Sequence, residues 1–404
     1  MKAFKRRSVP AAALCAFLAA SAASAASNKV VIGDLDDMSG PYADILGAGG
    51  IEAIKMAIAD FGGTVLGQPI GVLTADHQNK SDIAVQKFRE WADTGGLTMQ
   101  LGGNNSGVNL ALSAAAKDKK IPLIAVGPAA ASLTGKDCTP YTIHYGYDTT
   151  ALANGTAKTI LEQGGKSWFF LTADYAFGTQ LENAAATVVK LGGGTVAGDV
   201  RVPLGTSDFA SYLLQAQGSG AQVLGLANAG ADFSNSLKAA AEFGLTKTMR
   251  PAALLVFVTD VHSVGLDIAQ GLVLTTAWYW DLDERTRAFA KKFYDKVKKE
   301  PTFQQAAVYS ATLAYLNAVK ATGTDDPDKV MAQMKATTWD DPVFGKSSIR
   351  ADGRKMHDMY LFEVKTPAES KGPWDYYKLL ATIPAEEAFR PMDQGGCPMI
   401  AKKN

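Results

Sequence analysis

Along the chain, short apolar runs alternate with longer stretches whose apolar residues recur three and four positions apart. The runs at 29–35, 70–75, 97–102 and 121–127 are rich in Val, Ile and Leu and too short for helices, which predicts strands buried on both faces. Between them, 51–60, 81–93 and 106–118 carry the helical period. Strand and helix in regular succession are the pattern of βαβ units on a parallel sheet. The series then starts again. After 141–147 a helix is expected over 149–162, followed by strands at 167–172, 196–202, 222–227, 252–258 and 271–276. Helices at 284–299, 304–321 and 327–335 fill the last third and are expected to complete the first half.

Two similar series predict an α/β protein of two Rossmann-like lobes joined by three crossover segments, near Gly146, Ala277 and Phe362. The expected division is 28–146 plus 278–347 for the first lobe and 147–277 plus 348–404, with the C-terminal tail, for the second. Open parallel sheets bind ligands at the carboxyl ends of their strands. Function is therefore sought in the loops that face the cleft between the lobes.

The first residues bear on the compartment. Lys2, Lys5, Arg6 and Arg7 precede an apolar stretch and the small-residue run Ala23-Ser24-Ala25, the pattern of a cleavable signal peptide over 1–25. The stretch is about 12 residues, where a bilayer span needs roughly 20. Cys15 follows Leu14, too large for a lipid-attachment site, so no lipid anchor is expected. Export leaves Cys138 and Cys397 in an oxidising compartment, where they are expected to pair and tie the C-terminal tail to the first half of the chain. The 404 residues are 47% hydrophobic and carry 40 basic and 40 acidic side chains, a net charge of +0. That balance argues against nucleic acid or an anionic membrane as partner, and no other stretch suggests membrane insertion. A small-molecule ligand in a pocket remains.

Motifs for chemistry fail on inspection. Gly47-Ala48-Gly49-Gly50-Ile51-Glu52 has Glu52 where a dinucleotide loop needs its third glycine, and it lies too far past its strand. Gly165-Lys166-Ser167 and Gly345-Lys346-Ser347 lack the leading glycine of a P-loop. His77, His144, His262 and His357 are far apart, with no metal-site spacing, and no nucleophile elbow occurs. Asp36 and Asp37 follow the first strand, where paired acids serve as general acids or, more commonly, as loop and cap residues. No enzyme activity, catalytic residue, metal or cofactor is expected. Ser106, between a strand and a helix, offers a hydroxyl and helix-end N–H groups to a ligand carboxylate, or serves as a plain cap. The loop from Gly127 to Ser132 could approach the same carboxylate with backbone groups.

These loops resemble those of the leucine/isoleucine/valine-binding family of periplasmic ABC-transport receptors, over nearly the whole chain beyond the signal segment. Met38-Ser39-Gly40-Pro41-Tyr42 is similar to the family's LTGPYA loop, 101–106 to its Gly-x-x-x-Ser loop, and 121–134 to its IPxISPAATxPxLT segment. Tyr175-Ala176-Phe177-Gly178 resembles xxYG, and 208–217 the DFSxLVxxLK helix. The resemblance implies a type I periplasmic binding protein that closes by a hinge and delivers its ligand to membrane permease and ATPase subunits. It implies carboxylate binding by Ser106 and Ala129, with Tyr42 as a cleft wall, Tyr175 or Phe177 from the second lobe, and Tyr309 as a further cleft residue. Two positions depart from the family: Ala131, with Ser132 beside it, stands for a head-group threonine, and Asn228 for a tyrosine. The acid that holds an α-ammonium is missing near 255–257. An unpaired buried ammonium is costly. Either Asp174, Asp232 or Asp260 takes over for a branched-chain amino acid, or the ligand is a carboxylate without an ammonium, packed by aromatics such as Tyr147, Phe177, Trp278 and Tyr279. A receptor that senses its ligand rather than passing it to a transporter would share the same fold.

Overall fold

A computed structural model describes residues 29–400. The expected signal segment 1–25, with Cys15, lies outside the described residues. Among the described residues no helix is long and apolar enough to cross a membrane.

Two parallel sheets organise the chain. The first contains β1 (Val31–Asp36), β2 (Gly71–Asp76), β3 (Met99–Gly102), β4 (Leu123–Ala125) and β5 (Thr142–His144) in the order β2-β1-β3-β4-β5. The second contains β6 (Ser167–Ala173), β7 (Thr195–Val202), β8 (Val223–Ala227) and β9 (Arg250–Ala253) in the order β9-β8-β6-β7. In both, the first strand lies between the second and the third, so each sheet has a topological switch point where its loops diverge and leave a crevice. Buried Ile32 and Leu35 in β1 and Trp168, Phe170 and Leu171 in β6 are covered by helices, at about 1.5–3 kcal/mol for each large apolar side chain buried.

Helices α1 (Gly47–Phe61), α2 (Ser81–Thr94) and α3 (Ser106–Lys119) flank the first sheet. Later come α4 (Ala176–Leu191), α5 (Gly230–Glu242), α6 (Glu284–Val297) and α7 (Phe303–Thr322). Helices α6 and α7 return to pack on α1. The start of α7 is sharply defined: Thr302 Oγ1 accepts from Gln305 N while Gln305 Oε1 accepts from Thr302 N, a reciprocal capping box. Gln305 Nε2 also donates to the Leu46 carbonyl just ahead of α1.

Three expectations change. The apolar run 252–258 is a strand only through Ala253; Leu254–Phe257 forms buried irregular chain, and Val258–Val264 is helical. Its continuous hydrophobicity reflects burial beside the cleft rather than sheet pairing. The run 271–276 yields β10 (Val273–Thr276), which does not join the parallel series. It pairs antiparallel with β11 (Met359–Val364), and β12 (Tyr377–Ile383) adds to β11. The lobe boundary expected after residue 347 falls inside the strand Gly345–Ile349, and Arg354 bridges His144 of β5. Residues 348–356 thus stay against the first sheet, and the chain crosses only as it enters β11. The expected crossover points lie just past β5 for Gly146, just past β10 for Ala277 and within β11 for Phe362.

Cys138 and Cys397 form a disulfide across 259 positions. The tail it secures also donates Arg390 Nη2 to the Ala131 carbonyl, and its Ala388 carbonyl accepts from Asn154.

Candidate ligand-binding site

A narrow cleft cavity lies between the two sheets, and every residue lining it follows the carboxyl end of a parallel strand. Tyr42 and Ile45 come after β1, Asn104 to Ser106 after β3, Gly127 and Ala129 after β4, and Tyr147 after β5. The second sheet contributes Tyr175 and Phe177 after β6, Ala229 after β8, and Leu255 and Phe257 after β9.

Asp36 and Asp37 hold the first-lobe loops in place. Asp36 accepts from Asn104 N and Gly47 N, each at 2.6 Å, and Asp37 accepts from Gly40 N and Tyr42 N at 2.8 and 2.9 Å. Both acids are buried and occupied with backbone N–H groups. Gly103 is required beside them, since a Cβ there would stand 2.3 Å from Asp36 Oδ1. His77 takes part too: its Nδ1 accepts from Asn79 N, which leaves Nε2 to donate to the Asn104 carbonyl. Burial pushes the His77 pKa down, consistent with that neutral tautomer.

Asn105 has φ +81 and caps α3 by accepting from Val108 N. Because Asn105 takes the cap, Ser106 is released from that role and becomes the first helical residue. Its Oγ stands 3.2 Å from both Ala129 N and Ala130 N, accepting from them. A hydroxyl that accepts twice still has its own proton to give. Asn104 adds a buried amide nitrogen with no hydrogen-bond partner, in a residue that lines the cavity. The first lobe therefore presents neutral donors to an anion.

The walls are aromatic. Tyr42 and Tyr175 join hydroxyls across the cleft at 2.7 Å, and Tyr175 packs on Phe177. Burial pushes both tyrosine pKa values well up, so both hydroxyls stay protonated. Tyr147 donates to the Gly127 carbonyl and is held by Gln304 at the start of α7. Phe303, beside Gln304, stacks on Phe257 at 5.1 Å and meets Tyr147 edge-on. The lobes also meet outside the cavity: Ala231 N donates to the Pro41 carbonyl, and Ser132 and Gln180 exchange two bonds of 3.1 Å.

Of the residues singled out from sequence, Tyr42, Ser106, Ala129, Tyr147, Tyr175 and Phe177 line this cavity. Ala131 and Ser132 do not; they border a wider groove at the mouth between the lobes. Asn228 is directed into its own lobe, donating to Asp232 O and Ser236 Oγ, so Ala229 faces the cavity in its stead. Tyr309 lies two turns too far along α7, its hydroxyl on Asp60 and its ring on Phe289. Trp278 and Tyr279 line a neighbouring cavity. Leu255 and Phe257 line the cleft cavity at the position where the resemblance placed an ammonium-binding acid, whereas Asn104 and Ile45 were not singled out. Only Asn104 left a signal, as a polar residue in a loop after a strand.

No lining residue is acidic. Asp232 accepts from Gly205 N, with burial pushing it up to about 6. Asp260 accepts from Phe257 N, with burial pushing it up to about 7. Asp174 is exposed. Among the described residues no cluster of His, Cys, Asp or Glu is placed to hold a metal ion.

A family model for periplasmic binding proteins matches residues 29–373. A crystal structure of a periplasmic binding protein from Burkholderia mallei is 57% identical, with a TM-score of 0.91, covering 92% of this chain and 99% of that one. A branched-chain amino acid ABC transporter periplasmic ligand-binding protein from Burkholderia xenovorans LB400 is 43% identical at a TM-score of 0.80, covering 92% and 99%. The Leu/Ile/Val-binding protein homolog 6 of Brucella abortus is 27% identical over 361 residues, 86% of this chain and 90% of the relative.

Proposed function

The chain belongs to the periplasmic binding protein family, and from that premise we propose that it captures a small carboxylate lacking an α-ammonium group, of aromatic or similarly planar shape, for delivery to the permease and ATPase of an ABC importer. Members of this family bind solutes rather than convert them. The observation that carries the ligand reading is the cavity lining: Ser106 and Asn104 supply neutral donors for a carboxylate, the remaining walls apart from Asn105 are apolar or aromatic, and no carboxylate side chain lines the space. An α-ammonium there would lose its hydration without gaining a counter-charge, a cost of several kcal/mol. A planar ring, by contrast, gains area against Tyr42, Tyr147 and Phe177.

Lobe closure belongs to the same proposal: the first lobe, 28–146 with the later helices α6 and α7, moves against the second. Such a ligand gains contacts to both lobes only when they meet, so it shifts the population toward the closed form. Support for export and for a periplasmic location comes from the family and from the N-terminal sequence.

A second reading, an aliphatic amino acid, is favoured by the 43%-identical relative's name and would require Asp232 to leave Gly205 N for the cavity. Calorimetric titration of the purified protein with benzoate and with L-leucine decides between them. Binding of benzoate without leucine is expected. Binding of leucine without benzoate overturns the carboxylate reading and would turn attention to an Asp232→Asn variant.

A further inference from the structure

Two of the cleft walls lead, just past the cavity, to a polar side chain. Beyond Ala129 the first lobe presents Ser132 in the turn Ala131–Thr134, and beyond Phe177 the second lobe presents Gln180 near the start of α4. These two meet across the lobes: Gln180 Oε1 accepts from Ser132 N, and Gln180 Nε2 donates to Ser132 Oγ, both at 3.1 Å. A backbone N–H only donates, which fixes the orientation of the amide. The pair does not line the cleft cavity; it lies on the wall of the wider groove beside it.

Both partners are held in place by their own lobes. The Ser132 carbonyl accepts from Gly135 N and Asp137 N at 2.9 and 3.0 Å, and the neighbouring Ala131 carbonyl accepts from Arg390 Nη2. The tail that supplies Arg390 is itself tied to Cys138 by the disulfide. Gln180 follows Phe177 by about one helical turn, so it travels with the aromatic wall of the second lobe. Groups already ordered in this way give up little further freedom when they bond.

We infer that Gln180 sets the affinity of this protein without touching the ligand: its two bonds to Ser132 latch the lobes together and weight the closed form. The inference rests on the closure reading above and extends it. It also gives Ser132 a different part from the ligand contact implied by resemblance, because its N–H and its hydroxyl oxygen are both engaged by Gln180. Apparent affinity scales with the fraction of molecules in the binding-competent state. The latch therefore strengthens binding by the same factor whatever the chemistry of the ligand.

The test measures closure with no ligand present. Ala231 N and the Pro41 carbonyl of opposite lobes meet at 3.0 Å, so in a Pro41→Cys, Ala231→Cys parent a short bis-maleimide links the lobes at a rate proportional to the closed fraction. Cys138 and Cys397 are bonded to each other and do not react. Gln180→Leu removes both latch bonds and is expected to slow linking about tenfold. Gln180→Glu is expected to link at least as fast as the parent: its carboxylate accepts from Ser132 N and from the Ser132 hydroxyl, and the groove is lined by Lys136 and Arg390 and by no acid. Equal rates for Gln180→Leu and the parent overturn this inference alone. So does a Gln180→Glu variant as slow as Gln180→Leu, which would trace the effect to packing. No linking in the parent overturns the closure reading and this inference with it. Calorimetry repeats the comparison without the added cysteines, using whichever of benzoate and L-leucine the wild type binds: Gln180→Leu is expected to weaken affinity by the same factor, and an unchanged affinity overturns the inference.

Discussion

Asp34 and Asp36 lie two positions apart on β1 and so face the same side of the sheet, yet their circumstances differ. Asp36 is held by two backbone N–H groups, whereas both oxygens of Asp34 are buried without a partner. Burial first, then the charge of Asp36, raises Asp34 well above the usual carboxylate range, and burial pushes Asp36 up to about 7. The unfolded chain gives up these protons near the ordinary value of 3.8, while the folded protein keeps them to higher pH. Over that interval the unfolded state binds fewer protons, so this pair's contribution to stability is present at low pH and declines as pH rises through 7. Asp34→Val should therefore raise the melting temperature at pH 8 by about 2 °C or more and flatten its dependence between pH 5 and 8. A variant that melts below wild type at pH 8 would mean that the carboxyl group is stabilising there.

At the scale of elements, the helix 149–162 and the C-terminal tail show how local segments serve the lobe junction. The helix contains a π-turn, Ala153–Ala157, where it crosses β10. Gly155 allows that approach, since a Cβ would stand 2.1 Å from Thr275 Oγ1, and the hydroxyls of Thr156 and Thr275 pair at 2.9 Å. Helical periodicity placed this element, but periodicity carries no trace of an inserted residue that widens one turn. The tail has little secondary structure of its own and is held by the Cys138–Cys397 bond and by Arg390. A cross-link closing so long a loop restricts the unfolded chain strongly. Replacing both cysteines with serine should lower the unfolding free energy in urea by about 2–4 kcal/mol. An unchanged midpoint would show that the polar contacts of the tail suffice to hold it.

For the whole molecule, closure depends on the two lobes meeting at several small contacts, and Gly230 is a close fit between them. It has φ +60, and a Cβ there would lie 2.5 Å from the Pro41 carbonyl and 3.0 Å from the Tyr42 ring of the opposite lobe. Gly230→Ala strains its own backbone in either state and also pushes the lobes apart, a cost that falls on the closed state alone. Affinity for the cavity ligand should drop about tenfold or more, with the ligand-bound radius of gyration from X-ray scattering staying near that of the ligand-free protein. Unchanged affinity would mean that binding does not require contact at Pro41.

Much of this was legible in the chain itself. Two runs of alternating strands and helices are governed by local periodicity and burial, so β1 to β4 and β6 to β8 could be placed from side-chain pattern alone; the switch-point rule then pointed to the loops of the cleft, Ser106 among them, and the family resemblance to Tyr42, Tyr175 and Phe177. The pairing of Cys138 with Cys397 followed from compartment chemistry. What the sequence left open depends on direction in space. Asn228 and Ala229 are adjacent, and only the fold decides that the smaller faces the cavity while the amide turns back onto α5. Tyr309 lies on the right helix but on a face that meets α1 and α6, leaving Phe303 and Gln304 to reach the cleft. The stretch 254–257 reads as strand because it is apolar, and it is apolar because two lobes bury it. Pattern along a chain reports how much water each residue sees; which partner excludes that water is set only when distant segments come together.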